Sequence, residues 1–367
     1  MIATMHHLTS TFKSLLLPFL AIFTALVLGA LLIALTGKDW LAAYIGLWEG
    51  CCGSPSALIN TLVRSTPFII SGLAVALSFQ AGLFNVGAEG QLYVGALAAI
   101  VVGCGLQGLP NFVHVPLTLL AGGFGGLLWG AIPGFLKAQV GSHEVITTIM
   151  LNYIALRLTE WLIKSKNPYI LGDPFDSSGE RTRSVAQSAL LPHFFKTDLH
   201  AGIILAGILV LLVYWLLYHT TIGFELRTVG KNPHAARYAG MNVPQTITLA
   251  LALSGALAGL AGTSEVLGHG GVLEADFFAG LGFDSIAIAL LARSNPLAVV
   301  ASGLLWGALL TGARLMQVRA ELSADLIKIV QALILLFVAA DQIIRQLYRL
   351  RETKTSEKTA FSQGWGN

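Results

Sequence analysis

Residues 115–137, with the sequence VPLTLLAGGFGGLLWGAIPGFLK, decide the fold class of this chain. No charged side chain occurs in the stretch before Lys137, and its length matches the about 20 apolar residues that a helix needs to cross a bilayer. Glycines recur at every fourth position, which places them on one helical face. That face favours close packing against a second helix, and sliding during gating is the alternative. The glycines are Gly122, Gly126, Gly130 and Gly134, and the pairs Gly255/Gly259 and Gly303/Gly307 repeat the spacing.

The composition of the whole chain agrees with this stretch. Of its 367 residues, 55% are hydrophobic and 11% are charged, and 40 are glycines. A soluble domain carries about 25% charged residues, so this chain lacks the polar surface of a soluble globule of its size. The composition excludes a soluble enzyme, a disordered protein and a nucleic-acid binder.

The apolar runs predict an all-α polytopic membrane protein with about ten transmembrane helices. The first run, Ser14–Thr36, is longer than the apolar region of a signal peptide, so we expect it to remain as an anchor helix. The run at 280–291 is too short to cross a bilayer as a straight helix. The runs are residues 14–36, 66–84, 88–104, 115–137, 144–163, 201–218, 244–266, 280–291, 297–313 and 323–343.

The distribution of basic residues orients these spans. An even number of spans places both termini and the 219–243 loop on one side, which the basic residues of the loop and of the C-terminal tail make cytoplasmic. The 164–200 loop is then extracytoplasmic. We expect one transmembrane domain over 1–367, with a first half at 14–163, the 164–200 loop, a second half at 201–343 and a cytoplasmic tail at 344–367.

The two halves of the chain are predicted to form an inverted-topology repeat. Spans two to five and spans seven to ten are four segments each, and the two sets would start on opposite sides of the membrane. Such repeats are common in transporters. A loose sequence echo supports the prediction, because GLFN at 82–85 corresponds to GLGFD at 280–284.

A polar break, GLFNVGAEGQ at 82–91, interrupts otherwise apolar sequence. It carries Asn85, Glu89 and Gln91 beside glycines. A carboxylate at membrane depth is costly and faces a cavity or a partner, and broken helices mark substrate paths in transporters. The alternative is a short loop at the membrane surface with a solvated Glu89, and the sequence does not choose between them.

A polar stripe opens the fifth span. Glu144, Thr148 and Asn152 are spaced at i, i+4 and i+8, so they lie on one helical face. Hydrogen bonding between helices is the favoured interpretation, and the lining of a pathway is the alternative.

The most specific motif is the loop TIGFELRTVGKNPHAARYAGMN at 221–242. Asn232 can cap a helix that has Pro233 at its first position, and Gly240 can end it. The loop therefore predicts a short basic helix between two spans. It is either a solvated connector or a docking helix for a soluble partner.

Several catalytic and metal-binding motifs are absent from the sequence. It holds neither a P-loop nor an H-E-x-x-H motif. His143 and His269 have no partner at the spacing of a metal site, so we expect no metal site and no cofactor.

The motifs described above, taken in order, resemble the permease subunits of ATP-binding-cassette (ABC) importers, in the group that includes branched-chain amino acid and ribose permeases. The signatures are residues 82–91 and the loop from Glu225 to Gly240. The segments Glu144–Tyr153 and Gly282–Leu291 are most similar to the nucleoside or simple-sugar branch. The resemblance covers about residues 60–343. Residues 292–294 depart from the resemblance, because Ala292, Arg293 and Ser294 stand where we expect a glycine and an asparagine.

The resemblance implies a translocation pathway for nucleosides, purine nucleosides above all, or for simple sugars. ATP would be hydrolysed by a separate subunit, so this chain would not be an enzyme. The pathway residues would be Asn85, Glu89, Gln91, Glu144, Thr148 and Asn152. The residues that couple transport to the ATPase would be Arg227, Gly230, Asn232, Pro233, Ala236, Arg237 and Gly240.

The resemblance also implies partners and a location. A cytosolic ABC ATPase, a second related permease (or a second copy of this chain) and an extracytoplasmic binding protein or lipoprotein would assemble with it in the cell membrane. Membrane lipid would surround it, and both termini would be cytoplasmic. The main alternative is an ion-coupled secondary transporter, for which Glu89 and Asp284 are the only hints of an ion site. An intramembrane enzyme is disfavoured by the missing motifs.

Overall fold

The computed structural model describes residues 20–165, 170–176, 180–194, 197–274, 277–339 and 347–348. Helices account for 77% of the described residues. The described residues contain no strand, only three isolated bridges, which include those between Gly172 and Thr182 and between His193 and His200. The start of the predicted anchor, 14–19, and nearly all of the predicted tail at 344–367 lie outside the described residues.

The described helices follow one another with short connections, apart from the long segment between α6 and α7. They are α1 (Leu20–Leu35), α2 (Trp40–Cys52), α3 (Pro55–Gln80), α4 (Ala88–Gly105), α5 (Asn111–Val140), α6 (Glu144–Lys164), α7 (Gly202–His219), α8 (Thr221–Lys231), α9 (Pro233–Tyr238), α10 (Val243–Gly268), α11 (Leu281–Leu291), α12 (Pro296–Ala320) and α13 (Ala324–Ala339).

Six of these helices are long and apolar enough to cross a membrane: α3, α4, α5, α7, α10 and α12. The fold is therefore all-α with several candidate spans, as the sequence predicts. The total of about ten spans and the inverted repeat stay predictions. The helix at 281–291 has 11 residues, in keeping with the expectation that it does not cross the bilayer alone.

The helices depart from the apolar runs most clearly between residues 40 and 66. Helix α2 was not predicted, and it begins because the Asp39 carboxylate accepts the N–H groups of Leu41 and Ala42 at 2.8 and 3.2 Å. Helix α3 starts at Pro55 rather than at 66, since a proline fits the first turn and the polar residues before 66 do not interrupt a helix.

The chain divides into two compact units. Among the described residues, the terminal unit comprises residues 20–61, 308–339 and 347–348, and the central unit comprises the described part of Leu62–Gly307. In the terminal unit, Gly50 lies against Gly312, Arg319 pairs with Glu49, and Lys38 pairs with Glu321 at 3.0 Å.

The glycine ladder lies in the central unit, where it packs α5 against α10. A Cβ at Gly126 would collide with the carbonyl oxygen of Gly255, and one at Gly122 would collide with Thr263. Gly130 and Gly134 lie against the α10 backbone near Leu251 and Thr248. The ladder is thus an intramolecular packing face, the interpretation that the sequence favours.

Candidate functional site

The polar break folds into a buried turn at the start of α4. Gly82, which follows the end of α3, has a positive φ of 70°, a backbone conformation that suits glycine. The exposed fractions of Asn85, Glu89 and Gln91 are 0%, 3% and 1%. Glu89 is therefore not a solvated loop residue, and that interpretation of the break is wrong.

Three amide and hydroxyl side chains bond to one another within this turn. The Nδ2 group of Asn85 donates to Gln91 Oε1 at 2.8 Å and to Ser254 Oγ at 2.7 Å. Gln91 Nε2 donates to Asn85 Oδ1 at 3.2 Å, and Ser254 Oγ donates to the carbonyl of Ala74 at 2.6 Å. The set joins α3, α4 and α10 through uncharged polar groups, which are satisfied by each other in this conformation.

Asn152 of α6 holds the turn from the other side. Its Oδ1 accepts the N–H of Gly90 at 2.8 Å, and its Nδ2 donates to the carbonyl of Val86 at 2.9 Å. A Cβ at Gly87 would lie 2.9 Å from Thr148 Cβ, so Thr148 packs on the same turn. The stripe on α6 therefore acts through interhelical hydrogen bonding and packing, the interpretation favoured from its spacing.

The Glu89 carboxylate links the break to the start of α11. Its Oε1 accepts the N–H of Gly280 at 2.9 Å and its Oε2 accepts the N–H of Gly282 at 2.6 Å. These are free N–H groups at a helix start, where a carboxylate is favoured by hydrogen bonding and by the helix dipole. Gly280 has a φ of 87°, so glycine suits this turn too. We call Asn85, Glu89, Gln91, Asn152 and Ser254 the break network.

Glu144 lies apart from these hydrogen bonds. It is the first residue of α6, and its Oε2 accepts from Lys137 Nζ at 2.6 Å across the turn that joins α5 to α6. Its place in the sequence stripe does not bring it into the break network, which contains four of the six predicted pathway residues.

Sequence analysis missed two partners in this region. Ser254 is an isolated polar residue in the middle of α10, and its position among small apolar residues was the available signal. The N–H groups at Gly280 and Gly282 belong to the backbone, and 191 positions separate Glu89 from Gly280, so no local pattern reveals the pairing.

The predicted loop helix at 221–242 forms two helices, α8 and α9. The Asn232 side chain caps α9 by accepting the N–H groups of His234 and Ala235, both at 3.0 Å, and Pro233 occupies the first turn. Gly240 follows the helix with a φ of 82°. The cap, the proline and the glycine thus stand where the sequence predicts them.

One side of this pair of helices is buried and the other is exposed. Ala236 and Val229 pack with Val243 in a small hydrophobic core. Gly230 lies directly against the backbone of residues 80–82, where a side chain would collide. The outer side presents Arg237 and Tyr238, and 94% of Tyr238 is exposed. We call residues 221–240 the loop helices.

Arg227 does not join that outer side as a free charge. Its guanidinium lies over the ring of Tyr218, 5.1 Å from the centroid, and its Nε donates to the carbonyl of Gly223 at 3.4 Å. It therefore fixes α8 against the end of α7 through a cation–π contact.

Residues 292–294 show why a glycine and an asparagine are expected there. Arg293 and Ser294 take positive φ values of 50° and 56°, a conformation that glycine and asparagine adopt at lower cost. Gln80 of α3 donates to the carbonyl of Ser294 at 2.9 Å and holds this turn.

Comparison with known proteins assigns a family to this architecture. The family model described as branched-chain amino acid transport system / permease component matches residues 57–339. The chain is 43% identical over 336 residues to the guanosine ABC transporter permease protein NupP of Bacillus subtilis, which covers 90% of this chain and 94% of that protein.

Two further relatives have nearly the same length. The glucose ABC transporter permease protein TsgB13 of Haloferax volcanii is 34% identical over 91% of this chain and 89% of its own. The nucleoside ABC transporter permease protein NupB of Lactococcus lactis is 32% identical over 95% of this chain and 97% of its own. No solved structure matches the chain. The chain belongs to the branched-chain amino acid transport system permease family.

Proposed function

We propose, with this membership as the premise, that the chain forms the translocation pathway of an ATP-driven importer for nucleosides, purine nucleosides above all. The observation that carries the proposal is the 43% identity, over 90% of the chain, to a guanosine permease. The 32% identity to a nucleoside permease supports it. Simple sugars are the second substrate class, because a glucose permease is 34% identical.

The importer would draw its energy from a separate subunit. The sequence has no P-loop, and its family is a permease component, so ATP hydrolysis would take place in a cytosolic ABC ATPase. A second related permease, or a second copy of this chain, would complete the pathway. An extracytoplasmic binding protein or lipoprotein would deliver the solute.

The proposed topology has about ten spans in the cell membrane, an inverted repeat, and both termini in the cytoplasm. Two features of the central unit support the repeat. Gly82 and Gly280 both take positive φ values at the start of the echoed segments, and each precedes a helix, α4 or α11. Glu89 bonds to the second segment, so the two breaks meet as repeat interfaces do in transporters.

The break network is proposed to shape the pathway rather than to bind the solute with a fixed charge pair. Its amide and hydroxyl groups hold the start of α4 against α3, α6 and α10, and Glu89 holds the start of α11. Movement of these helices would open or close the path beside them. Uncharged donors and acceptors suit hydroxyl-rich solutes.

The loop helices are proposed to dock on the ATPase. Their buried side fixes α9 to the core of this chain, and their exposed side offers Arg237 and Tyr238 to a partner. Gly230 and Gly82 pack together, so a movement of the loop helices reaches the break directly. Asn232, Pro233, Ala236 and Gly240 would set the shape of the docking helix, and Arg227 would anchor it.

An ion-coupled secondary transporter would need a cluster of groups that coordinate the ion. Both carboxylates that hint at such a site bond to groups of the protein. Glu89 accepts two backbone N–H groups, and Asp284 accepts the indole N–H of Trp306 at 3.2 Å. This pairing favours the ATP-driven proposal.

The substrate proposal is tested by uptake. Cells that lack nucleoside uptake of their own would express this chain together with an ABC ATPase, a second permease and a binding protein from the same organism. We expect saturable uptake of radiolabelled guanosine, with inhibition by other purine nucleosides and not by excess ribose or glucose. Uptake of glucose without uptake of guanosine would overturn the nucleoside assignment and favour the sugar class.

A further inference from the structure

A group of imidazole and carboxylate side chains lies in the central unit, away from the break network and the loop helices. His200 comes just before α7, while Glu265 and His269 lie at the end of α10. Glu265 and His269 are four residues apart, which puts them on one face of the helix end. We call these three residues the histidine–glutamate cluster.

A short segment of backbone pairs places His200 beside the end of α10. Residues 193 and 200 pair as an isolated bridge, and the N–H of Ala201 donates to the carbonyl of Pro192 at 2.9 Å. The N–H of Leu191 then donates to the carbonyl of Leu267 at 3.1 Å. These bonds tie residues 191–193 and 200–201 to one another and to α10, so the position of His200 is set by the backbone.

The three side chains converge on one point. One ligand atom from each of His200, Glu265 and His269 lies within 4.8 Å of the others. The rings of His200 and His269 are 5.7 Å apart, and His269 Nδ1 lies 3.4 Å from Glu265 Oε1. Glycine at position 268 leaves space for the His200 ring, because a Cβ there would lie 2.5 Å from His200 Nε2.

Three polar atoms, two in this cluster and one on the neighbouring Ser264, have no hydrogen-bond partner among the described residues. They are His200 Nε2, Glu265 Oε2 and Ser264 Oγ, and all three are buried. His200 is 1% exposed and Ser264 is fully buried. A buried polar atom without a partner is costly, so a group that is bound by these atoms would lower the free energy.

We propose that His200, Glu265 and His269 bind a divalent transition-metal ion of the zinc class. Two imidazole nitrogens and one carboxylate oxygen are a ligand set that zinc uses, with the remaining position open to water. The His269 side chain is 41% exposed, so an ion can reach the cluster from the surface.

The protonation of His200 is compatible with this role. Burial, together with the nearby His269 and His193, lowers the pKa of His200 to about 4, so its ring is neutral at pH 7. The N–H of Gly202 donates to its Nδ1 at 3.2 Å, which leaves the ring proton on Nε2. A metal ion at Nε2 replaces that proton, which moves to Nδ1, so the ring stays neutral and the hydrogen bond from Gly202 is lost.

Neighbouring charged groups compete with a metal ion for the Glu265 carboxylate. Arg64 attracts the Glu265 carboxylate electrostatically, and so does His269 when protonated. A metal ion must therefore outcompete Arg64 for Glu265. Binding would lock His200 onto the end of α10, on the side of the membrane where the solute would arrive in the proposed topology.

Zinc titration of the purified, EDTA-treated full-length permease tests the proposal without measuring transport. We expect one zinc ion per chain, and we expect His200→Ala, His269→Ala and Glu265→Gln each to weaken binding by more than about tenfold. The matched control is His219→Ala, which removes an exposed histidine from the other end of α7. It should bind zinc as the unaltered chain does.

A spectroscopic measurement on the unaltered chain covers the case in which the variants do not fold. X-ray absorption of the zinc-loaded permease should show two imidazole ligands with Zn–N distances of about 2.0–2.1 Å. The proposal would be overturned if the unaltered chain did not bind zinc, or if the His200 and His269 variants bound zinc as tightly as the unaltered chain. A spectrum without imidazole ligands would also overturn it. None of these outcomes bears on the nucleoside assignment.

Discussion

The break network and the loop helices differ in where their polar groups find partners. In the break network, Asn85, Glu89 and Asn152 bond to groups of the same chain and are buried. In the loop helices, Ala236 is buried, but Arg237 and Tyr238 point outward. The comparison teaches that the polar groups of one region are satisfied within the chain, while the other region leaves a polar surface exposed, the surface that we propose docks on the ATPase.

The largest expected effect comes from Glu89→Ala. It leaves the N–H groups of half-buried Gly280 and buried Gly282 without their acceptors, and the buried group alone costs about 1–3 kcal/mol. Because 1.4 kcal/mol corresponds to a factor of ten in an equilibrium constant, we expect guanosine uptake to fall by at least about tenfold. Uptake in whole cells measures it, normalised to the amount of permease in the membrane.

Two matched variants serve as controls for Glu89→Ala. Glu89→Gln keeps an acceptor oxygen and should retain more uptake than Glu89→Ala, while Glu160→Ala removes a carboxylate whose partner, Arg157, is largely exposed and should change little. Normal uptake by Glu89→Ala would show that the bonds from Glu89 to the start of α11 are dispensable for transport.

The next largest effect is expected from Arg237→Glu, at the exposed side of the loop helices. Reversal of a charge at a docking surface places like or unpaired charges against the partner. We expect stimulation of the ATPase by the loaded binding protein to fall about fivefold, with the permease still inserted in the membrane. ATPase activity of the purified complex in lipid measures it.

The control for this variant is the same reversal on the segment between α6 and α7. Arg181→Glu alters a half-exposed residue near Asp173 and Asp176, and it should leave the stimulation intact. Equal effects of Arg181→Glu and Arg237→Glu would contradict a docking role that is particular to the loop helices.

A smaller effect is expected from Asn152→Ala. This change removes two hydrogen bonds to the turn at the start of α4, and it leaves the N–H of Gly90 without its acceptor. We expect a loss of about 1–3 kcal/mol of stability and a several-fold loss of uptake. Thermal unfolding in detergent measures the stability. The control is Tyr153→Ala, which changes the exposed side chain next to Asn152. Equal melting temperatures of the two variants would contradict the assigned bonds.

The smallest effect is expected from Ser294→Gly, which should stabilise the chain. Ser294 takes a φ of 56°, and relief of this conformation is worth about 1–2 kcal/mol. Ser302→Gly, inside α12, should instead destabilise by about 1 kcal/mol, because glycine weakens helices. Thermal unfolding compares them, and a lower melting temperature for Ser294→Gly would refute the assigned strain.

Local patterns predicted much of the fold and of the loop helices. The four-residue spacing from Gly122 to Gly134 identified a packing face, because helical geometry alone puts such residues together. The cap at Asn232 was likewise predictable, since its partners are two and three residues away. Helix α2 was missed, because its 13 residues are shorter than a membrane span.

Contacts between distant parts of the chain were beyond the reach of local patterns. Nothing near Glu89 indicates the backbone N–H groups of α11. The sequence offered no partner for His269 at the spacing of a metal site, whereas the fold brings His200 and Glu265 to it. The four-residue spacing of Glu265 and His269 was a usable signal, but His200 is contributed by a separate segment.

The most direct test of the account is the energy source of guanosine uptake. Cells that express the whole importer are depleted of ATP while the ion gradients are held, and in parallel the gradients are collapsed by ionophores while ATP is held. The account predicts that uptake stops on ATP depletion and persists without the gradients. Uptake that survives ATP depletion and stops when the gradients collapse would contradict it.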